Sequence, residues 1–565
     1  MIPESDIALH NQVEAELQDT AGPFVIAEEK VLGATCRVFA ERPPHLRQIL
    51  ENSRGFGDAE YMVYEGRRVR FAEHHARVAS TARGLSERFG VGKGDRVAIL
   101  AANRPEWVMA WWAAVSLGAI PVGMNGWWVA DEIRFALQDS EPTLLIGDRK
   151  RLARMGDDPI SIPVVEMESD FAALEEHAPG CDLPDVHIDE DDPACILYTS
   201  GTTGRPKGAI NTHRNIIALN RVQTWHGLRL MKIALSRPKP ESAPAAPLGN
   251  CTLITSPLFH LSGLYTGAVT LLASGVKTVY MEGRFDPVKT MKLIEDEKVT
   301  SWGPMGTVAL RVMNHPDVSR YDLSSIRQLG SGGAPVSHEM QEQMRRVFPN
   351  ARASLGLGYG MTEATGMATI NFGEELEKRP DSVGRALPTI QVEIRDEEDH
   401  PVPEGQEGEI CIHGPLVMLG YWRRPEATEG ILAPNRWLRT GDVGRLAQGY
   451  LYINSRARDL ILRGSENVYP TEVEMRLEAH PDVAEAAVLG VDHPELGQEV
   501  KAVVVPHGDA RPTPEALSRF VAEKLAYYKV PAHWELRDEP LPRNATGKVL
   551  KKLLVEGGEN PYIDE

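Results

Sequence analysis

Cysteine is scarce in this chain: five in 565 residues. Cys36, Cys181, Cys195, Cys251 and Cys411 lie far apart with no CxxC pair, which argues against a zinc site and a disulfide framework and fits a reduced compartment. An excess of basic residues is missing too. The net charge of -19 argues against a general nucleic-acid binder or a polybasic membrane anchor, but not against a local basic site for a small anion. The opening "MIPESDIALHNQVEAELQD" has no basic end followed by an apolar core, so no signal peptide is expected. Long hydrophobic runs are nearly absent. The one candidate, "WVMAWWAAVSLGAIPVGM" from Trp107 to Met124, carries no charge and reaches the lower edge of a spanning length. Gly118 and Pro121 interrupt it, and strand-like "RVAIL" and "IPVG" flank it, so a buried helix in a β-α-β unit is the expectation. There is no internal repeat and no low-complexity tail. A soluble, cytoplasmic protein follows, with peripheral membrane contact and oligomeric state left open.

What is present is length and pattern. The chain exceeds one ordinary core, so at least two domains are expected. Between about residues 60 and 280, short apolar runs alternate with amphipathic helical patterns, the mark of parallel sheets covered by helices. "SRPKPESAPAAPLGN", Ser236 to Asn250, interrupts this as an exposed loop. After about Pro380 the texture changes to short strands, "QVEIRDE", "GEICIHG" and "GYLYINS". From Ser455 onward "TEVEMRLEAH", "VAEAAVLGV", "EVKAVVVP" and "PEALSRFVAEKLAYY" read as a small α/β unit. The fold class is therefore α/β, with helix-covered sheets in residues 1–454, a β-rich part at about 380–454, and a smaller unit at 455–565.

One short run concentrates chemistry. "YTSGTTGRPKGA", Tyr198 to Ala209, combines three glycines, four hydroxyl side chains and Lys207 after the apolar "CILY". Glycines let backbone N–H groups converge on an anion, hydroxyls add donors and the lysine adds charge, which makes a phosphate cradle. It is not a Walker loop, because Lys207 follows Pro206 and precedes Gly208, and it is not GxGxxG.

This run resembles the phosphate-loop signature of the adenylate-forming superfamily, which holds acyl-CoA synthetases, peptide-synthetase adenylation domains and firefly-type luciferases. Five further segments resemble that family in order: "SGGAP" (331–335), "GYGMTE" (358–363), "WLRTGD" (437–442), "SRARDLILRGSENVYPTEVE" (455–474) and "PRNATGKVLKK" (542–552). The nearest likeness is to AMP-dependent fatty-acid–CoA ligases. The resemblance implies two half-reactions: a carboxylate attacks the α-phosphate of ATP, releasing pyrophosphate, and a thiol then displaces AMP. It implies that Thr199, Ser200, Gly201, Thr202, Thr203, Gly204 and Lys207 cradle the leaving phosphates, and that Thr362 meets the α-phosphate. Glu363 is the matching magnesium ligand, as suits a hard dication bound mainly by phosphates. Tyr359 stacks on adenine, Gly333 and Ala334 offer backbone contacts, and Asp442 accepts from the ribose hydroxyls with Arg456 helping. Lys548 reaches the substrate carboxylate and α-phosphate during adenylation only. The C-terminal unit must therefore move, about a hinge at Arg458 and Asp459, after which Gly464 lines the thiol channel. Ser455 and Ser465 stand where the family often has glycine, which puts the coenzyme A path in doubt.

"SPLFHLSG", Ser256 to Gly263, precedes the expected acyl pocket, and His260 either gates that pocket or packs in the core. Amino-acid-activating relatives commonly carry Asp after the Phe; here His260 follows Phe259. A buried ammonium without a carboxylate partner is unfavourable, so a plain carboxylic acid is expected. Leu261, Leu264, Trp302, Gly356 and Gly358 suggest a hydrophobic tail: a medium- or long-chain fatty acid, with an aryl or steroid acid as the alternative. Seventeen residues follow Lys548, so no attached carrier domain is expected and free coenzyme A is the leading acceptor. A separate carrier protein, a luciferase-like oxygenation and a non-catalytic nucleotide binder are the weaker readings.

Overall fold

The computed structural model describes residues 4–19, 22–156, 160–199, 206–236, 249–281, 283, 285–304, 308–332, 336–456, 459–463, 466–494, 496–544 and 547–556. Among these, one sheet of seven strands and one of thirteen carry most of the chain.

The first sheet is built on β1 (Arg96–Leu100), β2 (Ile120–Gly123) and β3 (Leu144–Gly147), all parallel. It continues into β4 (Pro193–Thr199), beside β2, and the antiparallel β5 (Lys207–Thr212). The uncharged run at Trp107 is resolved here as expected. Helix α1 (Pro105–Ser116) has Pro105 at its first turn, where a missing N–H is no loss, and Glu106 beside it. Every residue of α1 is buried, as a helix apolar on nearly every side requires. Gly118 reverses the chain with φ 67°, a conformation open to glycine, and β2 then pairs with β1 from Arg96↔Ile120 to Ile99↔Gly123. Trp107, Trp111 and Trp112 are fully buried, each stabilising by roughly 4–6 kcal/mol on area. The Trp112 indole donates to the Ala268 carbonyl at 3.1 Å. Among the described residues no helix is long and apolar enough to cross a membrane.

The second sheet has a parallel centre, from Cys251–Ile254 and Lys277–Tyr280 through Ser301–Trp302 and Gln328–Gly332 to β6 (Leu355–Met361). The antiparallel β7 (Gly366–Phe372) and β8 (Ser382–Ala386) extend it. The strands of the β-rich part join on without a break, because β8 pairs with Tyr450–Arg456, which pairs with β9 (Leu438–Ala447). One hydrophobic core connects both sheets through α1, the long helix α2 (His213–Leu235) and the helix at Ser262–Thr270. That last helix is wide: the Leu271 N–H bonds to the Thr266 carbonyl, five residues back. It starts against the turn before it, since a Cβ at Gly263 would lie 2.6 Å from the Ser256 carbonyl oxygen.

From Ile461 onward a further sheet of five strands packs with helices Pro470–Glu478 and Pro514–Ala522 around two cores drawn from residues 461–554. The second of these helices stops at Ala522; Ala526 is extended, and Tyr527–Lys529 form a separate short turn.

Candidate active site

The run read as a phosphate cradle begins at the end of β4 and ends on β5. β4 and β5 are antiparallel, with Thr199 opposite Lys207 and Tyr198 opposite Gly208. The Thr199 hydroxyl donates to the Lys207 carbonyl at 3.3 Å. Ser200, Gly201, Thr202, Thr203 and Gly204, between these ends, lie outside the described residues. The base is firmly held. The Tyr198 hydroxyl donates to Asp139 at 2.9 Å, and Asp139 also receives Arg424 at 2.5 Å. Burial, with the Asp139 carboxylate, holds the Tyr198 phenol well above its ordinary range. The Trp422 N–H bonds to the Gly208 carbonyl at 2.7 Å, and a Cβ at Gly208 would meet Ile196 at 2.7 Å.

Thr362 and Glu363 sit where β6 ends and the chain makes one tight turn before β7. Thr365 closes that turn with φ 52°, an unusual conformation for a β-branched residue. Side-chain bonds hold it there. The Thr365 hydroxyl donates to the Leu416 carbonyl at 2.6 Å and accepts from the Asn211 amide at 2.8 Å. Asn211 also donates to the Thr362 carbonyl at 3.3 Å and accepts from the Tyr265 hydroxyl at 2.7 Å. Gly360 is required by packing, because a Cβ there would overlap the Gly366 carbonyl. The result is a fixed, buried Glu363 whose Oε1 accepts from the Tyr421 hydroxyl at 2.6 Å. Burial, with the Glu363 charge, keeps that phenol well above its ordinary range, so it stays a donor. The Lys207 ammonium lies 5.1 Å from the centre of the same ring. Tyr421 thus joins the hairpin lysine to the turn carboxylate. Nothing in the sequence pattern marks it, since it is 58 residues from Glu363.

On the other side the Tyr359 hydroxyl donates to Asp442 at 2.7 Å, both residues being buried. Gly441, with φ 71°, falls within β9 at an irregularity in its pairing with Glu407–His413, just before Asp442, and the Asp442 N–H bonds to the Thr440 hydroxyl at 3.1 Å. Arg456 is the cross-strand partner of Asp442, although its side chain lies outside the described residues. Gly333 and Ala334 also lie outside them.

Lys548 lines the same continuous cleft as Thr199, Lys207, Tyr359, Thr362, Glu363 and Asp442. A tight loop carries it: its N–H bonds to the Asn544 side chain at 2.9 Å, and the Asn544 N–H to the Lys548 carbonyl at 2.9 Å. Arg543 braces the loop, donating to the Gly547 carbonyl and to Glu485, each at 2.7 Å. Asp459 lines the cleft as well, while Arg458, Gly464 and Ser465 fall outside the described residues.

His260 is set by its own turn. Ser262 bonds to its Nδ1 through the hydroxyl at 2.9 Å and the N–H at 3.4 Å. Since a backbone N–H can only donate, Nδ1 is the acceptor and the proton sits on Nε2. Burial pushes the imidazole down to about 4, so it is neutral at pH 7. Asn103, unnoticed in the sequence, clamps this turn, donating to the Ser256 carbonyl and accepting from the Leu258 N–H, both at 2.8 Å.

For magnesium the donor set is sparse. Among the described residues no group of three or more His, Cys, Asp or Glu could hold an ion. A single carboxylate with Oε1 on a phenol and Oε2 accepting from no described residue suits a dication held chiefly by phosphates and water.

Comparisons with known proteins identify the family. Residues 49–422 match the AMP-binding enzyme family model, and residues 472–548 match the AMP-binding enzyme C-terminal domain. Feruloyl-CoA synthase of Amycolatopsis is 35% identical, the match covering 86% of this chain and 93% of that protein. Long-chain-fatty-acid–CoA ligase FadD13 of Mycobacterium tuberculosis is 31% identical over the same shares. Among solved structures, ATP-bound MatB from Rhodopseudomonas palustris superposes with TM-score 0.79 at 28% identity, covering 91% of this chain and 98% of that one. The chain belongs to the adenylate-forming AMP-binding enzymes, as an acid–thiol ligase of the AMP-forming class.

Proposed function

We propose that the protein joins a hydrophobic carboxylic acid, of the fatty or aryl kind, to coenzyme A through an acyl-adenylate. The observation that carries this reading is one cleft holding two tethered pairs, Lys207 and Glu363 on Tyr421, and Tyr359 on Asp442. Attack by a carboxylate on a phosphate needs neutralisation of both anions and their alignment. Lys207, with the hairpin tip Thr199 to Gly204, meets the departing pyrophosphate, and Thr362 meets the α-phosphate. Asp442 takes the ribose hydroxyls while the Tyr359 ring covers adenine, with Gly333, Ala334 and Arg456 completing that side. Glu363 would hold magnesium, which when bound offsets phosphate charge. Lys548 brings its ammonium to the attacking carboxylate and the α-phosphate.

Lys548 serves the first half-reaction only, so residues 455–565 act as a mobile C-terminal domain hinged at Arg458 and Asp459. The separate cores of residues 461–554 support that division. Neutral His260 gates the acyl side without adding charge to it, and with no Asp after Phe259 an amino acid is disfavoured. Gly464 is assigned to the thiol path. The test is AMP release from ATP and magnesium, with and without coenzyme A, across fatty, aryl and steroid acids. AMP and acyl-CoA appearing in step for one class support the reading. Adenylate that coenzyme A does not discharge would replace the acceptor, and no AMP with any acid would overturn it.

A further inference from the structure

Beside His260 the cleft has a polar wall that catalysis does not use. Leu219, Gln223 and His226 lie at spacings of four and three residues and so share one face of α2. Both ends of that face reach β7. A Cβ at Gly366 would meet Leu219 at 3.1 Å, and the His226 ring stands edge-on to Phe372 at 5.0 Å. Gln223, between them in sequence, lines the same cleft as His260, Gly356 and Gly358. The wide helix presents Thr266 and Thr270 from the other side. Asn220 donates to the Thr270 hydroxyl at 3.4 Å, Thr270 donates to the Gln223 carbonyl oxygen at 2.5 Å, and the Gln223 amide donates to the Thr266 hydroxyl at 2.9 Å.

The donors in this array run one way and end in the cleft. A threonine hydroxyl has one hydrogen to give and a glutamine amide has two. Among the described residues neither the Thr266 hydrogen nor the second Gln223 hydrogen meets an acceptor. A plain alkyl chain filling the cleft here would strip water from both donors and return nothing. We propose that Gln223 and Thr266 are specificity-determining residues that recognise an oxygen atom carried by the acyl body away from its carboxylate. The substrate is therefore an oxygenated hydrophobic acid, with a hydroxyl, methoxyl or oxo group. This rests on the carboxylate-activating reading above.

The experiment compares kcat/KM for AMP release, coenzyme A present, within matched pairs. One arm sets 3-phenylpropenoic acid against its ring-hydroxylated and methoxylated counterparts. The other sets a saturated fatty acid against the same chain with a terminal hydroxyl. The oxygenated member of at least one pair is expected to lead by about 10- to 100-fold, and the arm that shows it tells ring from chain. Gln223→Leu and Thr266→Val should bring that pair level, while Thr266→Ser, which keeps the hydroxyl, should retain the preference. Level pairs in the parent enzyme, or a preference that survives both Gln223→Leu and Thr266→Val, would overturn the polar wall alone. No AMP with any acid would instead overturn the activity it rests on.

Discussion

Replacing Tyr421 by Phe removes one oxygen and little else, which makes it a sharp test of the tether between Lys207 and Glu363. The ring stays, so the ammonium 5.1 Å from its centre keeps its partner. The 2.6 Å bond to the Glu363 carboxylate is lost. A hydrogen bond to a charged group contributes about 1.5–3 kcal/mol, and a buried carboxylate left short of a donor sits at the upper end. At about 1.4 kcal/mol per tenfold, that is roughly 10- to 150-fold in whatever step needs Glu363 held in place. The assay is pyrophosphate release at varied magnesium-ATP, run beside thioester formation from supplied acyl-adenylate. The expected result is a loss confined to the first half-reaction, with a higher magnesium requirement and a lower melting temperature. Tyr421→Ala should lose more, because Lys207 then loses the ring as well. Unchanged adenylation and unchanged melting in Tyr421→Phe would refute the tether. Equal loss in both halves would show that Tyr421 only supports the fold.

Lys548→Ala should slow adenylation by ~10²-fold or more, the scale of removing one transition-state charge partner, while thioester formation from supplied adenylate is spared; equal losses would count against a moving domain. Gly360→Ala forces a Cβ onto the Gly366 carbonyl and should destabilise by about 3 kcal/mol or more. Gly330→Ala, with nothing within 4 Å of its Cβ, should be close to neutral in the same denaturant titration. Acid should weaken the fold. Burial pushes His74, His213 and His226 down to about 3 and His260 to about 4. Their folded pKa values lie below the unfolded one, so their contribution is full above pH 6.5 and is lost as pH falls. Glu478, pushed up to about 7 by burial, acts in the opposite sense. Near pH 5 the unfolded chain then binds about three more protons, a slope of about 4 kcal/mol per pH unit. Melting followed from pH 7.5 to 5 checks this, and a flat profile would refute it.

The parts that could be read from the sequence are those where one chemical demand overrides local pattern. A phosphate needs converging N–H groups and hydroxyls, so "YTSGTTGRPKG" stands out from the strands around it, and Thr199 and Lys207 do end one hairpin. The buried helix at Trp107 was legible because an uncharged run between two strand patterns has few other places to go. Other features were hidden for a physical reason. The wide spacing of the helix at Ser262–Thr270, and the close packing of Gly263 on the Ser256 and Pro257 backbone, are features no periodicity reports. The join between β8 and Tyr450–Arg456 is equally silent, because an edge that is closed by a distant strand looks like any other strand. Asn103 and Tyr421 act through bonds spanning 153 and 58 residues, and neither breaks its local pattern.

The same reasoning explains why the nucleotide side was easier to assign than the acid. The groups assigned to phosphate and ribose sit where the backbone is irregular, in the turn at Thr362 to Thr365 and at an irregular pairing of β9 beside Gly441, and the residue types change there. The groups proposed to meet the acid sit on α2 and the wide helix. There an apolar pattern is expected whatever the substrate, so Leu219 carries no message. A polar residue on such a face does carry one. Gln223 lies between Leu219 and His226 on a face packed toward β7, where burial would favour another apolar side chain. Bonded there to Thr266 and Thr270, it has a second amide hydrogen left for the substrate oxygen proposed above. Exchanging Gln223 for Leu should alter which acid is chosen, while exchanging Tyr421 for Phe should alter how fast any acid is activated. The two variants would then separate selection from chemistry within one cleft.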